Sequence, residues 1–308
     1  MSDIILHHYP QSPVSEKVRV VLGIKGLAWR SVEIPRLPPR PDQMPLTGGY
    51  RLTPVMQIGA DIYCDSQSIN RELDRRFPTP TLFPGGADGM AWGVGQWTDG
   101  PLFMACIQVV FADGAETMPV DFLNDRGAIY FGRDFDASRL PAGLKSGLAR
   151  LRAQFGWMDA RLATGRKFML GDAPGLPDAL CYYLVWMIRG RYSDGPGFLS
   201  QFPALNAWEQ RVAAIGHGMP TEMTAIEALE VARNATPDDA SEIDPDDPED
   251  LHAGDSVEVV SESVEDSKPV SGRLVGLGRD DIVIQRDDDR VGRVAVHFPR
   301  VGYAVRRA

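Results

Sequence analysis

The order of elements written into the first 77 residues constrains this chain more than any other feature. Residues 3–8 (DIILHH) read as a short strand, and residues 13–25 place Val14, Val18, Val21 and Leu22 on one helical face. Gly23 and Gly26 weaken and then end that helix, and residues 29–34 alternate as a second strand. Five prolines between Pro35 and Pro45 argue against a helix there. Two further strands follow, residues 54–58 and 61–64, joined by a tight Gly59-Ala60 turn. Residues 66–77 then carry Ile69, Leu73 and Phe77 in helical register. The order β-α-β-loop-β-β-α specifies an α/β domain over residues 1–78.

Residues 78–89 (PTPTLFPGGADG) have a linker's composition, and from residue 90 to 234 the pattern is helical. The clearest helices are residues 140–162, 177–189 and 204–215, with Pro177 and Asp178 suited to the first turn of the middle one. Residues 235–254 are proline-rich, poor in apolar side chains and strongly acidic, and read as a solvated linker. Residues 255–308 show about five short alternating or β-branched stretches separated by Gly or Asp turns, which predicts a small all-β barrel of SH3-like or Sm-like kind.

Charge is distributed unevenly along this order. Residues 236–267 hold 13 Asp or Glu and no Lys or Arg, whereas residues 268–308 hold 9 Lys or Arg against 5 acids. Adjacent blocks of opposite sign predict that the acidic segment folds back on the basic strands. Phe298 and Tyr303 are few aromatics for stacking bases, so nucleic acid is not an expected partner. The start MSDIILHHYP lacks a basic stretch, and no apolar run is long enough to span a bilayer, so a cytoplasmic, non-membrane protein is expected. Cys64, Cys106 and Cys181 lie far apart, in no redox or metal spacing, and are expected to be buried free thiols. No metal site is expected.

The residues with chemistry to offer stand at the junctions of the first domain. Ser12-Pro13-Val14-Ser15 opens the first helix, with serines at both positions where a disulfide-handling protein carries cysteines. A hydroxyl at a helix start is a poor nucleophile without a base, but it can donate to a thiolate brought by a ligand. It can equally be an N-cap, with Pro13 at the first helical position. Thr53-Pro54 precedes a strand, where a cis bond would turn the Thr53 backbone toward an extended, peptide-like ligand. Asp65-Ser66 stands at a strand-to-helix junction, where the acid suits an ammonium and the hydroxyl with the helix N–H groups suits a carboxylate; helix capping alone would also account for the pair.

Taken together, SPVSEKVR (12–19), TPVMQIG (53–59) and DSQSI (65–69) resemble the thioredoxin-like domain of the cytosolic glutathione transferases. FMLGDAPGLPDAL (168–180) and FPALNAWEQRVAA (202–214) resemble that family's buried capping-box motif and last core helix. The resemblance implies a thioredoxin-like domain followed by an all-α domain, with the C-terminal β region as an addition. It implies glutathione as co-substrate, a small electrophile as second substrate, and a homodimer. Ser12 then matches the serine that donates to the glutathione thiol. Thr53, ahead of a cis Pro54, matches the residue that pairs with the cysteinyl backbone, and Asp65 and Ser66 match the pair that holds the γ-glutamyl end. Ser15 lies in the same turn as Ser12, and the electrophile is placed near Tyr9, Phe103 and Cys106.

Three departures stand beside the match. Leu52 occupies a position where the family often has Lys or Gln for the glycyl carboxylate, leaving Arg51 as the candidate substitute. The proline-rich loop replaces a usual helix, and Gly175 stands where the capping-box motif has serine. These departures support an alternative, a non-catalytic glutathione-transferase-like scaffold that acts through the helical domain or the barrel.

Overall fold

A short run near the N-terminus builds a strand buried at every position, β1 (Ile5–His8), and the Ser12 turn launches α1 (Pro13–Ile24). β2 (Ala28–Glu33) follows, then a helical turn α2 (Met44–Thr47), β3 (Val55–Ile58), β4 (Asp61–Cys64) and α3 (Ser66–Arg76). The proline-rich stretch thus ends in a turn of helix rather than staying irregular throughout. Pro45 sits in the first turn of α2, where its missing N–H has no partner to lose. The computed structural model describes residues 3–238, 242–264 and 267–308. It divides into two units, one of Met1–Ser15, Leu27–Arg75 and Met219–Ala308, the other of Glu16–Gly26 and Arg76–Gly218.

The first unit is organised by a sheet. β1 pairs in parallel with β2 and antiparallel with β3, and β3 pairs antiparallel with β4. β5 (Met219–Glu222) adds to the outer side of β2, and α11 (Ala225–Arg233) follows it. The C-terminal strands β6 (Ser256–Ser261), β7 (Val270–Leu277), β8 (Asp281–Asp288), β9 (Gly292–Pro299) and β10 (Tyr303–Arg307) run in the spatial order β10-β6-β7-β8-β9. They form the expected β region, but not a free-standing one. β9 pairs in parallel with β4, so the strands among the described residues join one ten-stranded sheet. One apolar core runs through both halves, from Val55, Ile62 and Cys64 to Leu274, Ile284 and Phe298.

The acidic segment departs from a solvated linker at Leu251 and Ile243. Leu251 is buried in this core and Ile243 packs against it. Ile243 bridges to Leu277, with Asp244 N–H donating to the Leu277 carbonyl at 2.8 Å. Arg300 meets Asp247 and Glu249 at 3.4 and 3.2 Å, so acidic segment and basic strands do pair. Residues 239–241 of the segment lie outside the described residues. The β8–β9 hairpin also holds the proline-rich loop: Arg290 pairs with Asp42 at 2.7 Å and donates to the Pro41 carbonyl. Gly48, with φ of 70°, ends α2 beside Val270 and Arg286, and a Cβ there would come within 2.8 Å of both side chains.

A buried polar chain ties the strands to α11. Gln57 donates through Nε2 to the carbonyls of Gly59 and Ala228, which leaves Oε1 to accept from His7 Nε2 at 2.9 Å. His7 is therefore neutral with its proton on Nε2, and burial lowers its pKa to about 4. The sign of the linkage follows. Unfolded His7 binds its proton near the usual 6.5 and folded His7 only near 4, so acidification between those values favours the unfolded chain. We expect stability to fall by up to about 3 kcal/mol over that window on account of this group. Urea melts at several pH values will show the drop in the wild type and a flatter profile in His7→Gln; parallel profiles refute the assignment.

The second unit is helical. It contains α4 (Asp88–Trp97), α5 (Phe103–Asp113), α6 (Val120–Phe131), α7 (Leu144–Leu162), α8 (Leu176–Arg191), α9 (Gly195–Leu199) and α10 (Pro203–Ala213). Lys17 is buried there, its ammonium 2.6 Å from Asp99, which also accepts from the Tyr183 hydroxyl at 2.8 Å. No helix among the described residues is long and apolar enough to cross a membrane.

Candidate functional site

Strand register brings the three sequence motifs to one end of the sheet. His7 pairs with Val55, and Val55 pairs with Cys64, so these three residues form a row across β1, β3 and β4. The chain leaves that row toward Ser12 after β1, enters it from Thr53-Pro54 before β3, and leaves it toward Asp65-Ser66 after β4. Each motif is thereby carried on a short connection anchored by a buried strand.

Ser12 is buried, and its Oγ accepts the Ser15 N–H at 3.1 Å, capping α1. That bond uses an oxygen lone pair and leaves the hydroxyl proton, which no described residue takes. Ser15 Oγ, in the same turn, is fully buried and has no hydrogen-bond partner among the described residues. An unsatisfied buried hydroxyl costs about 1–3 kcal/mol, so the turn retains donor capacity that the fold does not consume. Tyr9 is buried in a small cluster with Ile5, Val32, Ile34 and Ala228.

The Thr53–Pro54 peptide is cis. Arg40, which the sequence pattern did not single out, organises the approach to it. Its guanidinium donates to the carbonyls of Pro35, Arg36 and Arg51, and to Thr53 Oγ1 at 2.8 Å. One planar fork satisfies four acceptors and ties the proline-rich loop to the segment before β3. Arg51 and Leu52 line a cavity of about 340 Å³ together with Pro39, Met44, Tyr50 and Lys268. Arg40, Arg51 and Lys268 are the cations among the residues that line this cavity with Leu52.

Asp65 has φ of 76°, a left-handed conformation that costs a non-glycine residue of order 1–3 kcal/mol. Its Oδ1 accepts the Gln67 N–H at 2.8 Å, and its carbonyl accepts the Ile69 N–H, so it also caps α3. Ser66 is the first residue of α3 and is buried. Asp65 Oδ2 accepts from the Tyr303 hydroxyl at 3.1 Å. Tyr303 in turn lies 3.1 Å from the Tyr50 hydroxyl, within an aromatic cluster with Phe298. Neither tyrosine is legible from the sequence as part of a site, because no local pattern connects residue 303 to residue 65.

Phe103 and Cys106 sit on α5 in the helical unit, Phe103 edge-on to Tyr130 at 5.5 Å. Cys106 and Cys64 are fully buried, and burial pushes both thiols well above their usual range, so neither is poised as a thiolate. Asp178, at the start of α8, is fully buried and accepts from Met169 N–H, Gly175 N–H and Trp208 Nε1. Gly175 lacks the serine's side chain, and the aspartate half of the capping box is present without it.

Residues 6–81 match the family model of the glutathione S-transferase N-terminal domain, and residues 131–211 that of the glutathione S-transferase C-terminal domain. The chain is similar to the crystal structure of a GST-like protein from Pseudomonas syringae, with 33% identity, a TM-score of 0.81 and 100% of both chains covered. It is 26% identical to a maleylpyruvate isomerase from Ralstonia sp. over 182 residues, 58% of this chain and 77% of that protein. A glutathione S-transferase from Rhodospirillum rubrum shares the fold at 19% identity and a TM-score of 0.53, over 68% of this chain and 88% of its own. The Pseudomonas match therefore extends through β6–β10.

Proposed function

This chain belongs to the glutathione S-transferase family, and from that premise we propose that it is a glutathione-dependent enzyme whose thiol is activated at Ser12. The observation that carries the reading is the row His7–Val55–Cys64, from which three helix- or strand-start motifs extend at one end of the sheet. The residues fit a γ-glutamyl peptide. Asp65 offers a carboxylate to the ligand ammonium, and Ser66 with the α3 N-terminus offers donors to its carboxylate. The Thr53 backbone meets the cysteinyl unit, which directs the sulfur toward Ser12. Arg51, on a cavity it shares with Arg40 and Lys268, is the cation we assign to the glycyl carboxylate in place of Leu52.

In this reading the Ser12 hydroxyl, sited at the positive end of α1, donates to the ligand sulfur and favours its thiolate. The thiolate then forms a bond to an electrophilic carbon, and Ser12 remains a donor throughout. Either a leaving group departs with its electron pair or, for an isomerisation, the sulfur itself departs after rotation about the activated bond. The Ralstonia relative makes maleylpyruvate the first electrophile to assay. Homodimerisation belongs to the proposal as the family's habit, and light scattering tests it.

Calorimetric titration with reduced glutathione tests the site. The wild type is expected to bind in the micromolar to low-millimolar range, and Asp65→Ala to weaken binding roughly 10- to 100-fold, the worth of a charge-assisted contact. No heat, together with no thermal shift at saturating glutathione, overturns the reading.

A further inference from the structure

The added β region reaches into the candidate site at one atom. Tyr303, the first residue of β10, is buried and donates to Asp65 Oδ2 at 3.1 Å across 238 residues of sequence. We propose that Tyr303 is a positioning residue for glutathione binding, which fixes the Asp65 carboxylate in the orientation that receives the γ-glutamyl ammonium. This rests on the glutathione reading above.

Both Asp65 oxygens are held from within the fold. Oδ1 is held by the Gln67 N–H and Oδ2 by the Tyr303 hydroxyl. The side chain is thereby ordered before the ammonium arrives, and the ligand does not bear that ordering cost.

Tyr303 is itself held. Its ring lies 5.5 Å from Phe298 and 6.4 Å from Tyr50, and its hydroxyl is 3.1 Å from that of Tyr50. β10 is fixed to β6 by the register Tyr303↔Ser261. Burial, and then the Asp65 charge, push the Tyr303 phenol well above its usual range, which keeps it a protonated donor. The β region is thus a structural part of the peptide-thiol site.

The test is calorimetry on the full chain with two ligands, reduced glutathione and its analogue lacking the γ-glutamyl amino group. Tyr303→Phe is expected to raise the Kd for glutathione roughly 3- to 10-fold, the range for one pre-ordered side chain, and to leave the Kd for the analogue unchanged. Equal losses for both ligands would reduce Tyr303 to a structural role and overturn the inference. So would an unchanged Kd for glutathione. Tighter glutathione binding would also overturn it, because Tyr303 would then be a competitor for the carboxylate. A wild type that binds no glutathione overturns the underlying reading and this inference with it. A wild type that binds, and loses binding in Asp65→Ala, keeps the reading whatever Tyr303→Phe does. Should Tyr303→Phe melt below the assay temperature, Tyr50→Phe removes the second hydroxyl of the chain, and the same ligand-dependent loss is expected in smaller size.

Discussion

Asp178→Ala is expected to lower the stability of this chain by about 4 kcal/mol, the largest single effect on folding that we foresee. The carboxylate is fully buried and serves three donors: Met169 N–H at 2.9 Å, Trp208 Nε1 at 2.7 Å and Gly175 N–H at 2.9 Å. Alanine would leave all three without an acceptor in a dry interior, and each orphaned donor costs about 1–3 kcal/mol before relaxation. Burial raises the Asp178 pKa, against the pull of those donors. Its ionisation therefore disfavours the fold as pH climbs from the unfolded pKa to the folded one, so Asp178 is not a driver of acid unfolding. Asp178→Asn separates charge from acceptor count. The amide oxygen can still serve Met169 and Trp208, but its NH2 would face the Gly175 N–H, and a loss of about 2 kcal/mol is expected. Urea denaturation measures both. A stability loss below about 1 kcal/mol in Asp178→Ala would refute this account of the α8 start.

Ser12→Ala is expected to cost roughly 30- to 300-fold in kcat/KM at neutral pH with maleylpyruvate or a reactive aryl halide, while changing the glutathione Kd by less than about 3-fold. The magnitude is that of removing one aimed donor from a developing or resident anion. The pH dependence carries the mechanism. A donor to sulfur lowers the thiol pKa, so its removal moves the rising limb of the rate profile to higher pH, and the variant regains part of the lost rate under alkaline conditions. The same substitution removes the cap on the Ser15 N–H and costs about 1 kcal/mol of stability, which a thermal melt isolates. Equal rates in variant and wild type across the pH range would take Ser12 out of the chemistry.

The features legible in the sequence are local ones. The strand of Asp61–Cys64, the helix from Ser66 and the helix from Pro13 follow from periodicity and end signals within a dozen residues. Ser12, Asp65 and Ser66 were legible as candidates for the same reason: helix starts leave N–H groups to satisfy, and the side chains that do so are few. Leu251 and Ile243 escaped the reading of the acidic segment because composition averages over the few apolar residues that find a core. The tertiary structure alone decided the parallel pairing of β9 with β4, the reach of Arg40 to Thr53, and the bond from Tyr303 to Asp65. Such contacts depend on where distant segments are brought together by the burial of their apolar faces, and no periodicity near residue 303 encodes a partner at residue 65.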